Sequence, residues 1–122
     1  MKHHPQIAQF LTGKSAHTLM LYHHFLNEFE QIGAIGLEAT KTMIGISNGR
    51  KRIAWVTQLG KNFIHVVFPL REPHYDNLCF QKVAQVPGSN QFNHHLRILN
   101  MSDVNEEVLG FMRIAYQLSP FA

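Results

Sequence analysis

The chain has 122 residues, a single cysteine and a formal net charge of +3, with nine histidines counted as neutral. That length fits one domain around one core and excludes two. A lone Cys79 excludes an intrachain disulfide, and no stretch approaches the roughly 18 apolar residues that span a bilayer.

The lead-in, residues 1–13, carries Pro5, which can open a short helical turn through Phe10 before Thr12-Gly13-Lys14 breaks it. Ser15 is an N-cap candidate, because its hydroxyl can accept from a free amide of the first turn. From Ala16 onward Leu21, Phe25, Phe29 and Ile32 recur at helical spacing, with Thr18 and Tyr22 on the same side and Leu19 and Leu26 widening the stripe. Gly33 and Gly36 end this helix.

Next comes a three-stranded antiparallel meander, around which the rest is organised. Thr40–Ser47, Arg52–Leu59 and Phe63–Phe68 are β-branched, aromatic and apolar. Asn48-Gly49 and Gly60-Lys61-Asn62 are tight-turn signals, since these residues tolerate positive φ. Alternation places Thr42, Ile44 and Ile46 on one face and Lys41, Met43 and Gly45 on the other. In the second strand it places Ile53, Trp55, Thr57 and Leu59 against Arg52, Ala54, Val56 and Gln58, which makes Trp55 a core residue. The third strand is apolar on both faces, around His65, so it is expected to be central.

Pro69–Leu78 reads as a loop, Cys79–Val86 as a fourth strand and Pro87-Gly88-Ser89-Asn90 as a turn. In a fifth strand, Phe92–Leu99, His94 faces one way with Phe92, Leu96 and Ile98, while Asn93, His95 and Arg97 face the other. A closing helix starts near Asn100, with Ser102 or Asp103 as cap, and buries Val104, Val108, Phe111, Ala115 and Leu118. The expected fold is a single α+β domain over residues 1–122: an antiparallel sheet of about five strands with an N-terminal and a C-terminal helix on one face.

The order of features resembles a family. Thr12 to Ser15 (TGKS), Thr40-Lys41 with Ile44, Asn62-Phe63 with Val66, His94-His95-Leu96-Arg97, and Ala115-Tyr116 with Ser119 are similar to the bacterial domain of unknown function family 5655. The resemblance covers nearly the whole chain and implies an α+β domain. It carries no activity, catalytic residue or cofactor with it. Trp55 departs from the pattern, where a smaller aromatic or aliphatic residue is expected.

Histidine is the abundant reactive residue, but His3-His4, His23-His24 and His94-His95 are adjacent pairs. Neighbours in sequence point to different sides, so each pair offers at most one metal ligand in simple geometry. His17 and His24 lie two turns apart on one helix face, and no HExxH motif or Cys/His cluster appears; no metal and no cofactor are expected. His65 could act as a base if desolvated. Cys79 is the conceivable nucleophile, with nothing nearby in sequence to activate it. The carboxylates form no glycosidase-like pair. No catalytic residue is assigned.

Two binding constellations remain. Lys41, His65, His95 and Arg97 fall on strand faces opposite the apolar ones and could gather as an anion site; the plainer reading is a solvated sheet face. Arg50, Lys51 and Arg52 could meet a nucleic-acid backbone, with Trp55, Phe63 and Tyr75 as stacking platforms; the plainer reading is a charged hairpin turn and a core tryptophan. Charged residues are 16% of the chain, against roughly a quarter in a typical domain. That leaves neutral surface for contact, so self-association, as a homodimer, is expected. The first expectation for function is a non-enzymatic binding module using the partly polar sheet face, with an anionic small ligand. The alternative is a nucleic-acid-binding accessory domain, and last comes a small enzyme with a histidine base. The N-terminus shows no apolar signal region, so a cytoplasmic location without membrane contact is expected.

Overall fold

The structure, a computed structural model, describes residues 5–117. His3, His4, Leu118, Ser119 and Pro120 lie outside the described residues. Helix α1 (Pro5–Leu11) and helix α2 (Ala16–Ile32) lead into strands β1 (Gly36–Ala39), β2 (Ile44–Ser47), β3 (Arg52–Gly60) and β4 (Phe63–Leu70). Strands β5 (Lys82–Gln85) and β6 (Phe92–Ile98) follow, then a 3-10 turn (Met101–Asp103) and helix α3 (Glu106–Gln117).

The sheet has six strands in the order β1-β2-β3-β4-β6-β5, all neighbours antiparallel. The α+β architecture with a helix at each end of the chain is therefore as expected, with one strand more. That strand is β1, a short GLEA segment whose low β-propensity hid it. The strand expected over Thr40–Ser47 starts only at Ile44, and the one expected over Cys79–Val86 shrinks to Lys82–Gln85. The third strand of the meander, now β4, is central and paired on both sides.

Helix α2 forms where the sequence predicts. Ser15 Oγ accepts from the Thr18 amide at 3.1 Å, and the Gly33 amide closes the last turn on the Phe29 carbonyl at 3.1 Å. Leu21, Tyr22, Phe25, Leu26 and Phe29 are buried against the sheet. Helix α3 buries Val108, Phe111, Met112 and Ala115. Its start differs from expectation. Asp103 bonds back to the Leu99 and Asn100 amides and closes the 3-10 turn, and Asn105 caps α3 through the Val108 amide at 3.0 Å.

The helices cover one sheet face only. That face carries Ile44, Ile46, Ala54, Val56, Ile64, Val66, Phe68, Leu96 and Ile98, all buried. Burying this apolar layer is the main drive to fold. No described helix is long and apolar enough to cross a membrane.

Trp55 is a correction. It lies on the opposite, open face and is half-buried, while Ala54 and Val56 fill the core. The cause is a pair of register shifts, one between Ile46 and Ser47 against β3 and one between Val56 and Gln58. Each inserts one residue and reverses the side-chain parity, so strict alternation fails across them.

Candidate functional site

A single row of paired residues crosses the open face. Glu38 on β1 pairs with Gly45 on β2, Gly45 with Trp55 on β3, Trp55 with Val67 on β4, Val67 with His95 on β6, and His95 with Lys82 on β5. Beside it runs a second row, Gln58–His65–Arg97. The polar residues of the open face are therefore placed by strand register.

His65 and His95 meet diagonally across β4 and β6, with His65 Nε2 3.0 Å from His95 Nδ1. In neutral rings one nitrogen donates and the other accepts. Burial holds His65 below its ordinary value near 6.5, and His95 and the Arg97 guanidinium push the same way. Burial also lowers His95, helped by Lys82. Both rings are therefore mainly neutral at pH 7. His65 Nδ1 and Arg97 Nε are buried without a hydrogen-bond partner.

The Arg97 guanidinium lies 4.3 Å over the centre of the Phe63 ring. Phe63 in turn lies over Gly60: a Cβ there would come within 2.2 Å of the ring. The same construction recurs on the neighbouring strand. Arg52 lies 4.5 Å over the Trp55 ring, and a Cβ on Gly45 would come within 2.9 Å of Arg52 Cδ and 3.3 Å of Trp55. Each glycine lets an aromatic ring or its arginine settle onto the sheet. Arg52 also meets Glu38 at 3.3 Å, whereas no carboxylate pairs with Arg97 or Lys82 among the described residues.

Charge is divided between the two layers. Lys41, Arg50, Lys51, Arg52, Lys61, Lys82 and Arg97 sit on strands or on tight turns between them, and Glu38 is the acid among those segments. Glu28, Glu30, Asp103, Glu106 and Glu107 sit on the helical layer, against Lys14 and Arg113. The sheet layer is basic and the helical layer acidic, although the net charge of +3 is small. Composition alone hides this division.

Of the residues expected to gather as an anion site, the structure brings together His65, His95 and Arg97. It does not bring Lys41, which lies in the β1–β2 turn and lines a shallow cleft with Gln9, Phe10 and Thr40 at the far side of the sheet. Lys82 takes its place, beside His95. Sequence reasoning missed Lys82 because it began the fourth strand at Cys79 and fixed no register for the hairpin that sets Lys82 opposite His95. Of the expected nucleic-acid cluster, Arg52 joins the open face through Trp55, while Arg50 and Lys51 stay in the hairpin turn, which Asn48 Oδ1 holds by accepting from both their amides. Tyr75 is exposed in the loop between β4 and β5.

The adjacent pair His94-His95 is split by the strand. His94 is fully buried on the helix side. Its Nδ1 bonds the Phe92 carbonyl at 2.8 Å and its Nε2 accepts from the His74 amide at 3.1 Å, which fixes the neutral tautomer. Cys79 is also away from the open face, beside Glu107 on α3; burial first and then Glu107 push its thiol up to about 12, so it stays protonated. Among the described residues no group of three or more His, Cys, Asp or Glu side chains comes together to hold a metal ion.

Residues 7–119 match the family described as domain of unknown function (DUF5655). The chain belongs to this family. Comparison with curated proteins and with solved structures finds no match. The family is the one that the order of motifs resembles, and it names no activity.

Proposed function

We propose that this member of the family is a non-enzymatic binding module whose open sheet face takes an anionic group between His65, His95, Arg97 and Lys82. One observation carries the reading. Arg97 is a cation without a carboxylate partner among the described residues, stacked on Phe63 and beside two imidazoles. A guanidinium binds carboxylate or phosphate through a rigid fork of donors, and the ring beneath keeps that fork oriented. The two imidazoles add further donors and take up a proton more readily once an anion is near. An enzyme with His65 as base is less well supported, because the one thiol is protonated and lies on the other side of the sheet. Self-association through this face competes with the proposal. It would set Arg52, Lys82 and Arg97 of one copy near those of the other, which like-charge repulsion opposes.

The test is a nuclear magnetic resonance titration with inorganic phosphate and adenosine monophosphate, reading the side-chain nitrogens of His65, His95 and Arg97, with molar mass by light scattering on the same sample. The expected result is a saturable shift at these nitrogens in a monomer, abolished in Arg97→Gln. Shifts confined to the Lys41 cleft would overturn the assignment, as would a dimer that hides Arg97.

A further inference from the structure

The open face repeats one device. Twice an arginine guanidinium lies over an aromatic ring beside a glycine: Arg52 over Trp55 near Gly45, and Arg97 over Phe63 above Gly60. A single small anion needs one such stack. Two stacks on one face, with a histidine pair and Lys82 alongside, suit a ligand that repeats both charge and flat surface.

Their spacing points the same way. Trp55 pairs with Val67, which lies four residues along β4 from Phe63. At about 3.3 Å per residue the stacks are about 13 Å apart along the strand direction. That is too far for one nucleobase to touch both, and within reach of a few linked nucleotides. The face is also a platform without walls: the helices lie behind it, so an extended chain can cross it. The division of charge between the layers orients such a chain. A polyanion is attracted to the sheet layer and repelled by Glu28, Glu30, Glu106 and Glu107 on the helical layer.

We propose that the open sheet face binds single-stranded nucleic acid, with bases stacking on the Arg52–Trp55 and Arg97–Phe63 pairs and phosphates held by the arginine edges, Lys82 and the His65–His95 pair. Stacking on aromatic rings and guanidinium planes tolerates any base, because every base has a flat face. Duplex is not the favoured ligand: its bases are stacked on one another, and the face offers no helix or ribbon to enter a groove. The proposal rests on the anion site above and extends it from one phosphate to a chain of them.

The experiment uses Trp55 itself, the one tryptophan in the chain. Its fluorescence is followed during titration with a 12-nucleotide oligothymidylate, with its duplex, with adenosine monophosphate and with a poly-aspartate peptide of matched charge. Expected are quenching of Trp55 by the oligonucleotide, affinity at least tenfold above the mononucleotide and the duplex, and a log–log salt slope of about −2 for roughly three phosphate contacts. Arg52→Gln and Arg97→Gln should each lower the affinity several-fold. Lys41→Gln removes the same charge away from the stacks and should leave it within a factor of two. An oligonucleotide that binds no more tightly than the mononucleotide overturns the inference and leaves the anion site standing. Poly-aspartate binding of equal strength overturns it as well, by showing a charge patch without stacking. Absence of binding by both nucleotide probes overturns the inference and the anion site together.

Discussion

His65 Nε2 and His95 Nδ1 face each other at 3.0 Å across β4 and β6, so in the neutral pair one nitrogen donates to the other. A further proton on either ring would place a cation beside Arg97 and Lys82 in a half-buried setting. Both rings, and the buried His94, therefore titrate lower in the fold than in the free chain. The sign follows. As pH falls through about 6.5, the unfolded chain takes up these protons first, so stability is fully present above that pH and is lost below it. Urea unfolding should show stability dropping between pH 7.5 and 5.5, by about 1.4 kcal/mol per pH unit for each extra proton bound by the unfolded state. His65→Gln should flatten the slope. A stability independent of pH over this range would contradict the neutral pair.

Gly60 and Gly45 support the two arginine stacks differently. A methyl at Gly60 would meet Phe63 ring atoms at 2.2 Å, and that ring cannot bend away without leaving Arg97. A methyl at Gly45 meets first the Cδ of Arg52, a flexible stem. Gly60→Ala should therefore cost about 1–3 kcal/mol, as overpacking does, and free the Arg97 guanidinium. Gly45→Ala should cost less, and should change Trp55 fluorescence as Arg52 shifts. Thermal melts and emission spectra of the two variants check the order; a more destabilising Gly45→Ala would contradict it.

How far the sequence reveals this site depends on which strand is read. In β6 the alternation of His94, His95, Leu96 and Arg97 runs without a bulge, and each residue lands on the face that alternation predicts. In β3 two register shifts reverse the parity, so Trp55 moves from the expected core to the open face and Val56 goes the other way. Bulges leave little trace in one sequence, because they are set by how two strands meet. Strand order hid the rest. His65 and His95 touch because β6 inserts between β4 and β5, a non-local choice that places β5 at the edge. Lys82 lies beside His95 through the register of the β5–β6 hairpin, and Lys41 lies apart because β2 begins only at Ile44 and leaves it in the β1–β2 turn. The helical stripes and the Ser15 cap were legible because they are local, whereas the intervening 3-10 turn moved the α3 cap from Ser102 or Asp103 to Asn105.

Thr18 ties the sheet to α2. Its buried hydroxyl donates to the Gly60 carbonyl at 2.7 Å and accepts from the Asn62 amide at 2.9 Å, while Ser15 Oγ donates to Asn62 Oδ1 at 2.7 Å. The β3–β4 turn, with Asn62 at φ 62°, is thus held at the helix N-terminus. That turn sets Phe63, and through it Arg97. Thr18→Val keeps the shape and leaves both backbone groups unpaired, so it should cost about 1–3 kcal/mol. Ser15→Ala should cost about 1 kcal/mol through the lost cap. Hydrogen exchange should quicken at Asn62 in Thr18→Val; an unchanged rate there would show that the turn holds itself.

Cys79 gives a check on the helix side that is independent of any ligand. Its thiol is half-buried beside Glu107, and burial with that carboxylate pushes it up to about 12. Only the thiolate is a good nucleophile. At pH 8 the native protein should react with iodoacetamide on the order of a thousandfold more slowly than an ordinary thiol whose pKa is about 8.5. Unfolding in urea should restore the ordinary rate. Glu107→Gln removes one of the two causes and leaves burial, so it should speed the native reaction only in part. Mass spectrometry of timed samples gives these rates. Fast alkylation of the folded protein would show that the thiol is activated, and would reopen the histidine–cysteine chemistry that the placement of Cys79 argues against.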